Sequence, residues 1–364
     1  MTAPAGPRLP DPVFLVASPQ GDIPFTPDMA AMPLEGCPLS TTYGEYFAGL
    51  RDFCLGPGRE ALVAAAARAA GRPVAAGDVT GLAVKAQKHG ALYHPASIEV
   101  RFPGGAAVLG ANVATGPHGW AALAREHAAL SRLSREVPDA VLPAPRCFDE
   151  GDRLDVLLVD WFSGFHEFHA ATGGGIVIWD FEGGGVVPLG RDMAREAYRQ
   201  AAGILTLCLD VESGARIWPW RHAAGDFVVR SGADGMKTRL ITARGYAPPS
   251  VGGDEAGLLH FVLATTLFMR LDRLDGVGEP VFLPQWCLEA AARGVLETLR
   301  ARPDFTDRFP AFLDGLHRAS PEAWGAALTG DADFCADPDA AFLLPRLPGH
   351  LAGLADALRL LSAG

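Results

Sequence analysis

The stretch Trp218-Pro219-Trp220-Arg221-His222-Ala223-Ala224-Gly225-Asp226-Phe227-Val228-Val229-Arg230 decides how this chain is read. A proline between two tryptophans takes the chain off a preceding helical pattern, a histidine follows, and Gly225-Asp226 sets one carboxylate just before the apolar strand Phe227 to Arg230. That layout can hold an aspartate rigidly at the lip of a cleft. The competing reading is that His222 and Asp226 simply pin a loop to its surroundings.

Working outward, the run Arg191 to Asp210 carries Tyr198, Ile204, Leu205 and Leu207 at helical spacing. After the strand come a Gly232-Ala-Asp-Gly235 turn and a second strand, Thr238 to Ala243. Beyond Pro249 the pattern predicts helices over Asp254 to Leu274, Pro284 to Ala301, Phe305 to Arg318, Pro321 to Leu328 and Pro348 to Ser362. Upstream, Ile176 to Leu189 reads as a hairpin around Gly183-Gly184-Gly185.

The first part of the chain has a different texture. Met1 to about Pro38 is proline-rich and predicts an arm, and Arg59 to Ala70 predicts a lead-in helix ending at Gly71. Three strands, Gly81 to Gln87, Ser97 to Phe102 and Ala106 to Ala114, read as an antiparallel meander. An amphipathic helix over Gly119 to Glu136 sets Leu123, Leu130 and Leu133 on one face and Arg125, Glu126, Arg132 and Arg135 elsewhere. A strand pair, Arg146 to Asp149 and Leu154 to Asp160, leads to Trp161-Phe162-Ser163-Gly164, where short strands give way to long helices. The expected division is an arm and lead-in helix over 1–75, a strand-rich lobe over 76–162 and a helical lobe over 163–364.

With 364 residues, 49% of them hydrophobic and 9% aromatic, the chain can bury a large core. A formal net charge of −11 without a Lys/Arg cluster argues against a nucleic-acid partner. The six cysteines form no C-x-x-C pair, so neither a zinc knuckle nor a disulfide framework is expected. The longest apolar stretch, Leu258 to Leu271, is too short to span a bilayer and contains His260 and Arg270. With no secretory pattern at Met1 to Pro10, a cytoplasmic protein without a membrane partner is the expectation.

This order of elements, with His222-Ala-Ala-Gly225-Asp226 as a stretched His-Gly-Asp loop, resembles the protein-kinase-like superfamily, most closely its aminoglycoside and choline phosphotransferase branch. The resemblance covers Gly81 to Leu328 and implies an α+β, two-lobed fold: an antiparallel sheet with one helix, then a mostly helical lobe. It implies an ATP-dependent phosphotransferase acting on a small-molecule acceptor. Asp226 would orient the attacking hydroxyl and His222 would hold the loop. Glu126 would position a lysine, from Lys85 or Lys88, on the phosphates; the covering turn is Lys88-His89-Gly90; Asp160, Trp161 and Phe162 would take the base, and Arg244 would neutralise phosphate charge.

Three departures accompany it. The third strand has Asn112 where the family carries its lysine. Ser231 stands five residues after Asp226, where a metal-binding asparagine is expected, and the strand expected to carry the second metal-binding aspartate has Thr242 and Arg244. No residue is assigned to metal, and Mg2+ is left open. The alternatives are an inactive pseudokinase serving as a nucleotide-binding or scaffold module with a protein partner, and nucleotidyl transfer on the same fold.

Phe165-His166-Glu167-Phe168-His169 would put two imidazoles on one face if helical, but it lacks the H-E-x-x-H spacing and a third ligand. Trp218 and Trp220 read as packing anchors rather than stacking platforms. No G-x-S-x-G stretch is present, and the clusters Gly173 to Gly175 and Gly183 to Gly185 read as turns.

Overall fold

The computed structural model describes residues 8–18, 21–35, 41–87, 93–137, 141–180, 185–218, 220–248 and 254–362. The protein is mixed α+β and divides into two compact units, one formed by 1–134 with 143–163 and the other by 135–142 with 164–364.

The first unit is a seven-stranded mixed sheet with helices. Its elements are β1 (Val13–Val16), β2 (Ile23–Pro24), α1 (Tyr43–Leu55), α2 (Arg59–Ala70), β3 (Gly81–Ala86), β4 (His94–Phe102), β5 (Gly105–Ala114), α3 (Pro117–Glu136), β6 (Pro145–Glu150) and β7 (Asp155–Asp160). The strand order is β2-β1-β3-β4-β5-β7-β6. Every neighbouring pair is antiparallel except β1 with β3, which run parallel with Val13 opposite Ala83 and Val16 opposite Ala86.

The proline-rich N-terminal segment, expected to form an arm, thus contributes two strands, β1 and β2, to the sheet. The reason is apolar: Phe14 packs on Phe47 with ring centroids 4.7 Å apart, and Leu9 and Leu34 are buried in the same core. Helix α1, absent from the sequence expectation, has a reciprocal cap: Glu45 N–H donates to Thr42 Oγ1 at 3.2 Å, and Thr42 N–H donates to Glu45 Oε2 at 2.9 Å. Tyr46, Phe47, Leu50 and Phe53 on its inner face join Ile98, Val100 and Val113 from the sheet.

In α3 the stripe Ala122, Leu123, Glu126, Ala129, Leu130 and Leu133 is buried. Glu126, expected away from the leucine face, lies on it, because 126 is three positions after 123 and four before 130.

The second unit contains β8 (Phe168–Ala170), β9 (Ile176–Asp180), β10 (Gly185–Leu189), α4 (Arg191–Leu207), β11 (Arg216–Ile217), β12 (Phe227–Gly232), β13 (Gly235–Leu240), β14 (Tyr246–Ala247), α5 (Asp254–Phe268), β15 (Leu271–Arg273), β16 (Pro280–Phe282), α6 (Gln285–Ala301), α7 (Phe309–Arg318), α8 (Pro321–Thr329), α9 (Ala332–Cys335), α10 (Ala340–Leu343) and α11 (Leu347–Ser362). Its strands form small sheets, β10-β9-β8 and the pairs β11-β14, β12-β13 and β15-β16. The turn at Gly183-Gly184 lies outside the described residues.

Helices α4 and α6 approach closely at Gly294, where an added Cβ would lie 2.1 Å from the carbonyl oxygen of Arg199. The apolar stretch expected as one helix to Leu274 is α5, buried around much of its circumference, followed by the strand β15. Among the described residues no helix is long and apolar enough to cross a membrane.

Candidate functional site

The loop ahead of β12 is tightly closed. Asp226 N–H and Phe227 N–H both donate to the Ala223 carbonyl, at 3.2 and 2.9 Å, and Gly225, within the turn they close, takes φ +86°, a left-handed conformation that favours glycine. His222 Nδ1 hydrogen-bonds the Ala224 carbonyl. The Asp226 carbonyl accepts from Ile241 N–H at 2.9 Å, which ties the loop to the end of β13.

The Asp226 side chain is 3% exposed and is gripped on both oxygens by one guanidinium. Arg244 Nη2 lies 2.6 Å from Oδ1 and Nη1 donates to Oδ2 at 2.7 Å. The arginine that could neutralise phosphate charge is therefore spent on the carboxylate that would orient the acceptor hydroxyl. The sequence treated these two residues as independent; their pairing follows from β13 returning antiparallel beside β12.

Asp226 runs straight into β12, with Phe227 already paired to Leu240. Ser231 therefore sits at the far end of that strand, opposite Met236 and roughly 16 Å along from Asp226, and does not share a site with it. Arg221 Nε is 2.9 Å from Asp337 Oδ2. Trp218 and Trp220 are buried, the first donating its indole N–H to Asp333 Oδ2 at 3.2 Å and the second packing edge-on against Phe227 with centroids 6.3 Å apart. Both are packing residues.

In the first unit Glu126 is fully buried. It accepts from Tyr93 Oη and, at 3.4 Å, from Asn112 Nδ2. Lys85 does not reach it; Lys85 Nζ is 3.1 Å from Asp22 Oδ2. This corrects the expectation that Glu126 positions Lys85: β3 presents that lysine toward the N-terminal segment the sequence had set aside as an arm. Lys88, His89 and Gly90 lie outside the described residues.

At the end of β7, Asp160 is held bidentately by Arg146, with Nε and Nη2 donating at 2.7 and 2.6 Å. Its backbone N–H donates to the Ala144 carbonyl at 3.1 Å, so that group is not available to a base edge. Trp161 is 41% exposed.

The Phe165 to His169 cluster is extended, not helical, so His166 and His169 fall on opposite faces. His166 exchanges backbone hydrogen bonds with Val229, both 2.9 Å, and its ring is 3.6 Å from Asp180. His169 is buried between Asp272 at 3.5 Å and Glu167 at 3.6 Å, under the Trp179 ring. Burial pulls its pKa down, but the carboxylates of Asp272 and Glu167 on either side outweigh it and raise it to about 9. Among the described residues no group of three or more His, Cys, Asp and Glu could hold a metal ion.

A third polar group, which the sequence reading missed, lies behind the tryptophans. His260 on α5 has Arg216 Nη2 2.7 Å from Nδ1 and Asp331 Oδ2 2.8 Å from Nε2, all three residues being buried. Burial and the Arg216 charge lower the His260 pKa to about 4. A histidine inside an apolar helix was the available signal. No family model matches the chain, and no curated protein matches it.

Proposed function

We propose that the protein is a catalytically inactive member of the protein-kinase-like fold, acting as a binding or scaffold module rather than a phosphotransferase. The observation that carries this reading is the bidentate ion pair between Asp226 and Arg244. An aspartate that orients a hydroxyl, or helps hold a divalent cation, needs lone pairs facing its substrate. Here a built-in guanidinium takes both oxygens, and it comes from the segment on which the resemblance expects a second metal-binding aspartate.

Two further points support the same reading. Among the described residues, Glu126 accepts hydrogen bonds from the neutral donors Tyr93 and Asn112. Asp226 also sits at the position immediately before the strand. The position five residues on, where the resemblance expects a metal-binding asparagine, is Ser231, at the far end of β12.

The test is a thermal-shift titration of the full chain with ATP, with and without Mg2+ or Mn2+. No metal-dependent stabilisation by ATP is expected. A working metal-dependent site held at a hundred times its dissociation constant would add about 2.7 kcal/mol. A metal-dependent shift of that order, lost in Asp226→Asn, would restore the phosphotransferase reading.

A further inference from the structure

The ribbon made by β12 and β13 has two faces of opposite character. Phe227, Val229, Met236, Thr238 and Leu240 are buried on one, where Thr238 Oγ1 donates to the Ala197 carbonyl of α4 at 3.4 Å. The register sets Arg230 opposite Lys237 and Arg239 opposite Val228, so three cations share the other face.

Both arginines converge on one ring. Phe165 lies beside β12, because its neighbour His166 exchanges backbone hydrogen bonds with Val229. The guanidinium carbon of Arg230 is 4.7 Å from the Phe165 ring centroid and that of Arg239 is 5.3 Å from it. Burial lowers the Arg239 pKa, and the nearby Arg230 charge lowers it further.

Like charges directly opposite weaken a strand pair, and a chain with a net charge of −11 has more acids than bases with which to avoid them. Yet the local acids cover only part of the charge. Asp234 Oδ2 is 3.3 Å from Lys237 Nζ, and Glu167, two residues beyond Phe165, lies 3.6 Å from His169 Nε2. Arg230 is exposed and forms no ion pair among the described residues. Sequences depart from such local rules chiefly at functional sites.

We propose that this face of the ribbon docks a phosphorylated segment of a protein partner, its phosphate received by the guanidiniums of Arg230 and Arg239. A guanidinium fork matches a phosphate bidentately, and two forks held on one aromatic ring lose little freedom on binding. A phosphate dianion concentrates at one point the charge that a glutamate-rich segment spreads over several residues. Arg230 stands on the open surface of the ribbon, which suits a length of chain better than a small molecule, whose sites are concave. This docking rests on the scaffold reading for the existence of a partner, but the Asp226–Arg244 pair takes no part in it.

The test is fluorescence anisotropy of the full chain with degenerate peptide pools that carry a central phosphoserine, serine or glutamate. The phosphoserine pool should bind most tightly, and Arg230→Gln should weaken that binding by about tenfold, with Arg239→Gln acting in the same direction. Arg293→Gln combined with Arg300→Gln, a larger loss of charge at exposed positions of α6, should leave it unchanged. The Tm of Arg230→Gln should stay within about 2 °C of the wild type. Phosphoserine and glutamate pools that bind alike, an equal loss in the α6 variant, or an Arg230→Gln variant that binds as the wild type does would each overturn the proposal. So would inorganic phosphate that binds as tightly as the phosphoserine pool, which would place the affinity in the free anion alone. A metal-dependent stabilisation by ATP would overturn the scaffold reading and leave these peptide outcomes as they are.

Discussion

At the residue scale, Glu126 shows how environment decides a role. Its carboxylate lies in the leucine stripe of α3 and is fully buried, where the hydroxyl of Tyr93 and the amide of Asn112 donate to it. Glu126→Gln keeps acceptor capacity and is expected to cost no more than about 1.5 kcal/mol in urea unfolding. Glu126→Ala also leaves the partner donors orphaned beside a cavity and is expected to cost about 3 kcal/mol. Equal effects of the two substitutions would mean that the hydrogen bonds contribute little. The sequence placed Glu126 after the third strand and noted the missing lysine, but periodicity read as a leucine face hid the glutamate's own burial.

At the scale of elements, the α4–α6 contact rests on one hydrogen atom. A methyl group at Gly294 would meet the Arg199 carbonyl at 2.1 Å and the Ala202 Cβ at 3.2 Å. Gly294→Ala should therefore destabilise by about 2–3 kcal/mol through overpacking, even though alanine is the better helix former by roughly 1 kcal/mol. A stabilised variant would show that the helices separate freely.

Most elements of both units were legible in the sequence, because long periodic helices and alternating strands carry their own pattern. Arg59–Ala70 and the meander of β3, β4 and β5 stand within a few residues of expectation. Helix α1 was missed although Thr42 and Glu45 spell its cap, because nearby prolines dominated the reading. Strand β15 was missed because α5 is buried around much of its surface and gives no periodic signal to mark where the helix stops. The residues near Asp226 were legible, but the Arg244 pairing was not: it needs the return of β13, a contact across 18 residues.

For the whole molecule, three buried histidines predict a stability optimum in pH. His169 has a folded pKa raised to about 9. Its contribution is fully present below the unfolded value near 6.5 and is lost as pH rises through about 9, on the order of 2–3 kcal/mol in total. His260 and His350 act in the opposite sense. Burial and neighbouring arginines, Arg216 for one and Arg270 for the other, lower their pKa values to about 4 and about 3. Below pH 6.5 the unfolded chain binds protons that these two rings refuse, so stability falls as pH drops from 6.5 toward 4. Unfolding free energy should therefore peak near pH 6.5, and His169→Gln should flatten only the alkaline side. A maximum displaced to pH 8 or above in the wild type would contradict the assignment of His169.

The central claim, that Asp226 is held for structure by Arg244, is tested most directly by a double-mutant cycle in urea using Asp226→Asn, Arg244→Met and the pair together. The account expects each single variant to lose about 2–3 kcal/mol, the double variant to lose little more than either, and a coupling of about 2 kcal/mol. Additive losses, or an Asp226→Asn variant as stable as the wild type or more so, would contradict it, because that is how a carboxylate kept for chemistry behaves.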